Sequence, residues 1–237
     1  MGKYRFIERM NHRPLFVRYA LGYLASFLVL IFTKTKREGE RNIPKAGPVI
    51  ITMNHFSYVD AIFVISAIQK PISFLGASDQ KIKWYFYWAP FIYGFIPTNR
   101  KALAPSTIKE AKKALKRKGF LGVFPEGVST SSTLRTAKKG AAYLSVATET
   151  KILPVSICGL ENIWNNVRKG GRPIIRIKIG KPFGPFCLPK KKTEREQYLR
   201  KSGEEIMCRI AVLLPRKQRG VFQGHNRIEL LNKQLNI

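Results

Sequence analysis

The chain predicts an α/β domain, with helices flanking a mixed, largely parallel sheet and an apolar segment preceding it. Three observations carry this. Between residues 49 and 214, short β-branched and aromatic runs alternate with stretches of helical periodicity. Hydrophobic residues make up 45% of the 237, enough to bury one core of ordinary domain size. The residues able to do chemistry fall directly after predicted strands, where open α/β sheets place their ligands.

Composition narrows the partners. Forty-three Lys and Arg against 14 Asp and Glu give a net charge of +29. Such a surface attracts polyanions: nucleic acid, an anionic bilayer, or an acidic substrate or protein. Cys158, Cys187 and Cys208 show neither metal spacing nor an even disulfide framework. With only His12, His55 and His225 beside them, no metal site is expected.

Residues Tyr19 to Thr33 form an apolar run of about fifteen residues, short of the roughly 20 of a clear span. Arg5, Arg9, Arg13 and Arg18 precede it, and Lys34, Lys36 and Arg37 follow. A signal peptide lacks its small-residue cleavage site here, and a plain buried helix is the bland alternative. Apolar character on all faces and the basic flanks favour a helix at an anionic interface. Residues 1–37 are accordingly read as a membrane-associated helical segment, 38–214 as the domain and 215–237 as a basic tail with little to pack.

Within the domain, Val49 to Met53 reads as a buried strand, Val59 to Gln69 as a helix and Ile72 to Leu75 as a second strand. Trp84 to Ile96 is dense in aromatics, which suits an interfacial belt, an acyl-chain wall or ordinary core. Thr107 to Arg117 reads as a helix opened by a Thr107–Glu110 capping box and ended by Gly119. Phe120 to Phe124 is a strand, Ala137 to Ala147 a helix, and Leu153 to Cys158 and Ile174 to Ile179 are strands. Thr193 to Leu214 is a long helix with a Thr193–Glu196 capping box, stopped by Pro215.

The first candidate for chemistry is Asn54-His55-Phe56-Ser57-Tyr58-Val59-Asp60, at a strand-to-helix junction. A neutral imidazole serves as general base near neutral pH. A carboxylate five residues on can curl back over the first helical turn and fix the tautomer. Ser57 is read as a helix cap rather than a nucleophile, for no G-x-S-x-G elbow surrounds it. Taken alone, the pair reads more readily as a capping Asp and an incidental His. The second candidate is Phe124-Pro125-Glu126-Gly127 at a strand end. Glu126 can accept from a substrate hydroxyl or order the loop through backbone N–H groups, and Gly127 permits close backbone approach. Ser129, Arg135, Lys138 and Lys139 follow, hydroxyl and cations near a helix start that suit a phosphate. The third is Gly94 to Arg100, where the guanidinium of Arg100 can clamp a phosphate.

These blocks, in this order, resemble the PlsC-type glycerolipid acyltransferase family. Asn54, His55, Ser57 and Asp60 meet its N-H-x-S-x-x-D block, Gly94 to Arg100 its second, Phe124 to Gly127 its F-P-E-G, and Leu153-Pro154-Val155 its fourth. The lead-ins Gly39 to Pro44 and Gly47 to Ile50, and the later Ile179 to Pro182, fit as well. The resemblance spans residues 38 to 214. Two departures stand out: Val128-Ser129 replaces the usual Thr-Arg, and Ala77-Ser78 replaces an Ala-Lys pair. Arg135, Lys138, Lys139 or Lys81 would have to supply the missing cations.

The resemblance implies acyl transfer from acyl coenzyme A or acyl carrier protein to 1-acylglycerol-3-phosphate. His55 would be the base and Asp60 its orienter, with Arg100, Glu126 and Gly127 placing the acceptor and no metal, cofactor or covalent intermediate. It implies an anionic lipid surface as partner and an active site on the cytoplasmic side of a membrane, the inner membrane in a bacterium. An acceptor other than lysophosphatidate is the first alternative. Nucleic-acid binding is the remote one, since the cations are dispersed and no recognised motif accompanies them.

Overall fold

The computed structural model describes residues 14–77, 93–98, 104–127 and 131–235. It opens with helix α1 (Leu15–Phe32), followed without a break by strand β1 (Lys34–Glu38). Then come β2 (Val49–Met53), α2 (Asp60–Ile68), β3 (Ile72–Ala77), β4 (Phe95–Thr98), α3 (Pro105–Lys116) and β5 (Phe120–Val123). The chain continues through α4 (Gly140–Thr148), β6 (Ile152–Cys158), α5 (Ile163–Arg168), β7 (Ile174–Ile179), α6 (Arg195–Ala211) and α7 (Asn226–Leu235).

The strands form one seven-stranded sheet in the order β1-β7-β6-β2-β5-β3-β4. All neighbours pair in parallel except β6 and β7, so the predicted mixed, largely parallel sheet is the one observed. Period-two alternation sorts its side chains into two cores. Ile50, Leu121, Val123 and Ile152 face α3, α4 and α6, whereas Val49, Ile51, Met53, Leu153, Val155 and Ile157 face α1, α2 and α5. The central strands are therefore apolar on both faces, as a doubly covered sheet requires.

Several local expectations fail for identifiable reasons. Thr107 does not cap α3. Pro105 opens that helix, and the buried Thr107 hydroxyl donates instead to the Pro97 carbonyl (2.8 Å). Thr193 lies in a 3-10 turn, Lys192–Glu194, ahead of α6, and Glu196 meets Lys139 rather than closing a capping box. Helix α4 starts at Gly140, three residues later than predicted. The segment beyond Pro215 is no loose tail. Phe222, Ile228 and Leu231 are buried in the same core as α6, and Arg227 joins Arg209 in binding Glu205. Most of the aromatic stretch lies outside the described residues. Of its members, Tyr93 accepts a hydrogen bond from the Ile72 N–H at 3.0 Å, and Phe95 opens β4.

Candidate active site

Strands β2, β5 and β6 lie side by side and run parallel, so the loops leaving all three gather at one end of the sheet. His55 leaves β2 there, Phe124 to Gly127 leaves β5, and Gly159 to Glu161 leaves β6. Asn54, fully buried, ties the first loop to β6. Its amide accepts from the Ile157 N–H and donates to the Ile157 carbonyl, both at 2.8 Å. No role for this side chain is evident in the sequence beyond its place in the motif. The available signal is a polar amide directly after an all-buried strand, which must be satisfied somewhere.

The His55 ring sits 2.9 Å, through Nδ1, from Asp60 Oδ2. Asp60 is fully buried in the first turn of α2, while the His55 side chain remains 18% exposed. An ionised carboxylate only accepts, so this contact holds the proton on Nδ1 and leaves Nε2 free to receive one. Asp60 Oδ2 also accepts the Ser57 backbone N–H at 2.8 Å. Ser57 does not cap the helix: Val59 holds the N-cap position and no side chain caps it. Behind the imidazole, the Phe124 ring stacks at 4.0 Å between centroids, 26° from parallel. Burial raises the Asp60 carboxyl above its ordinary value, and the bonds from His55 and Ser57 oppose that rise.

Glu126 is the second buried carboxylate, and each of its oxygens meets a backbone N–H. It orders the loops: Oε1 accepts the His55 N–H at 3.0 Å and Oε2 the Arg135 N–H at 3.1 Å. Only 4% exposed, it too is raised by burial against the pull of those two N–H groups. Gly127 adopts φ +74°, and a Cβ there would stand 3.2 Å from Lys138 Cε. The aliphatic chain of Lys138 thus lies across the turn, and its own N–H donates to the Pro125 carbonyl at 2.8 Å. Gly127→Ala should destabilise the protein by about 1 kcal/mol or more, from the left-handed φ alone, and displace Lys138. A thermal melt checks the loss, and an unchanged melt would show that the turn relaxes freely.

The structure brings His55, Asp60, Glu126, Gly127, Arg135 and Lys138 into one region. Lys139 is placed beside them in sequence, but its ammonium is engaged by Glu196 at the start of α6. Arg100, Ser129 and Lys81 lie outside the described residues. Among the described residues, no group of three or more His, Cys, Asp or Glu gathers to hold a metal.

A base held by a buried carboxylate, at the carboxyl ends of parallel strands, suits proton abstraction from a substrate hydroxyl. Known proteins resemble the chain in sequence and in fold. The chain is 29% identical over 129 residues to the 1-acyl-sn-glycerol-3-phosphate acyltransferase of Borreliella burgdorferi, covering 53% of this chain and 52% of that protein. It is 26% identical over 146 residues to the enzyme of the same name from Bacillus subtilis, covering 61% and 71%. The chain thus spans about half the length of the first relative. The crystal structure of the 1-acyl-sn-glycerophosphate acyltransferase PlsC of Thermotoga maritima shares the fold, with a TM-score of 0.55 and 23% identity over 80% of this chain and 79% of that one. Residues 34–158, more than half of the chain, match the Acyltransferase family, and on that match the chain is a member of the Acyltransferase family.

Proposed function

We propose that the protein moves a fatty acyl group from an acyl thioester to the free hydroxyl of 1-acylglycerol-3-phosphate, forming phosphatidic acid. The observation that carries this is the 2.9 Å contact between His55 Nδ1 and Asp60 Oδ2, in a chain similar to two proteins that bear the name of that activity. His55 Nε2 takes the proton of the acceptor hydroxyl as its oxygen attacks the thioester carbonyl carbon. The tetrahedral intermediate collapses, the C–S bond breaks, and the departing thiolate takes the proton back from the imidazolium. Asp60 stabilises that imidazolium. General base catalysis of this kind is worth about 10²–10⁴-fold, and the remainder comes from positioning. Lys138, whose aliphatic chain lies across Gly127, is the cation assigned here to the acceptor phosphate.

The exposed surface of α1 supports a lipid interface as the place of reaction. This helix is 18 residues long with mean hydropathy 2.0, and only 6% of it is buried. It is fastened to the domain along its whole length. Arg18 donates to the Ile72 carbonyl at one end, Gly22 packs on Ile65, and Arg172 donates to the Thr33 carbonyl at the other. A helix docked this way would drag the domain into hydrocarbon if it crossed the bilayer. It fits a helix lying in the interface, with Leu24, Phe27 and Ile31 in a stripe toward the acyl chains. Replacing these three by Glu should lower binding to anionic vesicles at least tenfold, with the melting temperature kept. Unaltered co-sedimentation with vesicles would remove α1 from the membrane contact.

The deciding assay offers acyl coenzyme A and acyl carrier protein as donors to lysophosphatidate and a panel of lysolipids. Turnover of lysophosphatidate supports the reading in full. Turnover only of another lysolipid, the outcome that Val128-Ser129 in place of the usual Thr-Arg would favour, keeps the mechanism and moves the acceptor. No transfer by folded, vesicle-bound protein overturns it.

A further inference from the structure

The segment after α6 reaches back to the active-site loops, and it does so through backbone bonds placed one residue from the catalytic relay. The Leu134 N–H donates to the Gln218 carbonyl at 3.0 Å, and the Leu134 carbonyl accepts the Val221 N–H at 3.3 Å. Leu134, 1% exposed, therefore has both backbone groups held by the tail while its side chain is buried in the core that also holds Phe222. The next residue is Arg135, whose N–H holds Glu126 Oε2, and Glu126 Oε1 in turn holds the His55 N–H. On the other side, the buried Gln218 donates through its amide to the Glu161 carboxylate, on the loop leaving β6. One short segment thus ties together the β5 and β6 loops, and Asn54 ties β6 to the His55 loop.

The contact at Leu134 depends on Gly220. Its φ is +51°, and a Cβ there would lie 2.1 Å from the Leu134 carbonyl oxygen and 2.9 Å from its nitrogen. Both atoms are main chain, so they cannot swing aside as a flexible side chain would. Any larger residue at 220 must push the 134–135 backbone away, and with it the N–H that fixes Glu126.

We propose that residues 216–222 form a clamp that positions Glu126, and through it His55, with Gly220 and Gln218 as the positioning residues. Neither touches substrate. Their effect is exerted on the register of the Arg135 N–H, and so on where the imidazole stands. A displacement of about 1 Å in a catalytic group can cost as much as 10²-fold in rate. The proposal rests on the acyl-transfer reading for its kinetic arm only.

The test uses the full chain with Gly220→Ala. Turnover at saturating substrates should fall at least tenfold while KM for donor and acceptor stays within about twofold, well below the melting temperature. A gain in unfolded fraction alone would scale all rates and leave the native molecules unchanged. The discriminating readout is therefore the His55 backbone amide proton in a nitrogen-15 correlation spectrum. Bonded to a carboxylate, it resonates downfield, and in Gly220→Ala it should move toward the value seen in Glu126→Gln. Should Gly220→Ala fail to fold, Gln218→Glu sets a like charge against Glu161 and should shift the same amide. The double variant Gln218→Glu with Glu161→Gln restores a donor and acceptor and should bring both amide and turnover back. A folded variant with an unmoved His55 amide, or a double variant showing no recovery, overturns the clamp. If the wild type transfers no acyl group, the amide arm still decides the clamp, while the functional reading fails separately.

Discussion

On the proposed acyl-transfer reading, turnover by His55→Ala should fall by about 10²–10⁴-fold, the range that a positioned general base supplies. Asp60→Asn should approach the same loss by a different route. Both the Ser57 N–H and the ring contact end on Asp60 Oδ2, so an Asn can set only one of its groups there. Its oxygen keeps both bonds but gives up the charge that would stabilise the imidazolium, and its NH2 drives the ring proton to Nε2 while leaving the Ser57 N–H unaccepted. Because the two residues act as one unit, His55→Ala combined with Asp60→Asn should be no slower than His55→Ala alone. The stability pattern runs the other way. His55→Ala strips a fully buried carboxylate of its ring partner, which costs about 1–3 kcal/mol. Adding Asp60→Asn removes that charge, so at neutral pH the double variant should melt above the single one. Single-turnover rates and thermal melts measure both. A His55→Ala protein that keeps a tenth of wild-type turnover would mean another group removes the proton.

Glu126 should show the next largest effect. Glu126→Ala strands the N–H groups of His55 and Arg135, each at about 1–3 kcal/mol where buried. It also frees the two loops that hold the imidazole, so turnover should drop on the order of 100-fold. The pH dependence of Glu126→Gln adds a signed test. Burial sets the Glu126 carboxyl above its ordinary value. The folded protein therefore binds that proton more tightly than the unfolded chain does. The stability it contributes is complete below the unfolded value, about 4, and is lost as pH rises through the raised folded value. A Gln at 126 does not titrate. The melting temperature of wild type minus that of Glu126→Gln should then be largest in acid and shrink as pH rises over that window. A difference that grows with pH would mean the two N–H bonds outweigh burial.

The sequence by itself determined the apolar strands β2, β5, β6 and β7 and the places of His55, Asp60, Glu126 and Gly127, because these depend on short-range chemistry. A run such as Val49 to Met53 can only be buried, and a motif keeps its spacing along the chain. Helix ends were less legible. Thr107 and Thr193 each carry a capping pattern, yet Pro105 and a 3-10 turn start those helices, because a local side-chain bond worth about 1 kcal/mol yields to packing. Strand β1, Lys-Thr-Lys-Arg-Glu, reads as a charged flank to a membrane segment. It becomes a strand because an outer edge needs only one neighbour and tolerates charge. Only the tertiary structure decided which groups His55 and Asp60 lean on. Asn54 meets Ile157 across 103 residues, Glu126 meets the His55 N–H across 71, and Leu134 meets a tail whose few apolar residues, Phe222, Ile228 and Leu231, are spaced too widely to show as a core. Backbone N–H and carbonyl groups are the same at every residue, so a site held together by them leaves no mark in composition or period. It becomes visible only when the folded chain brings donor to acceptor.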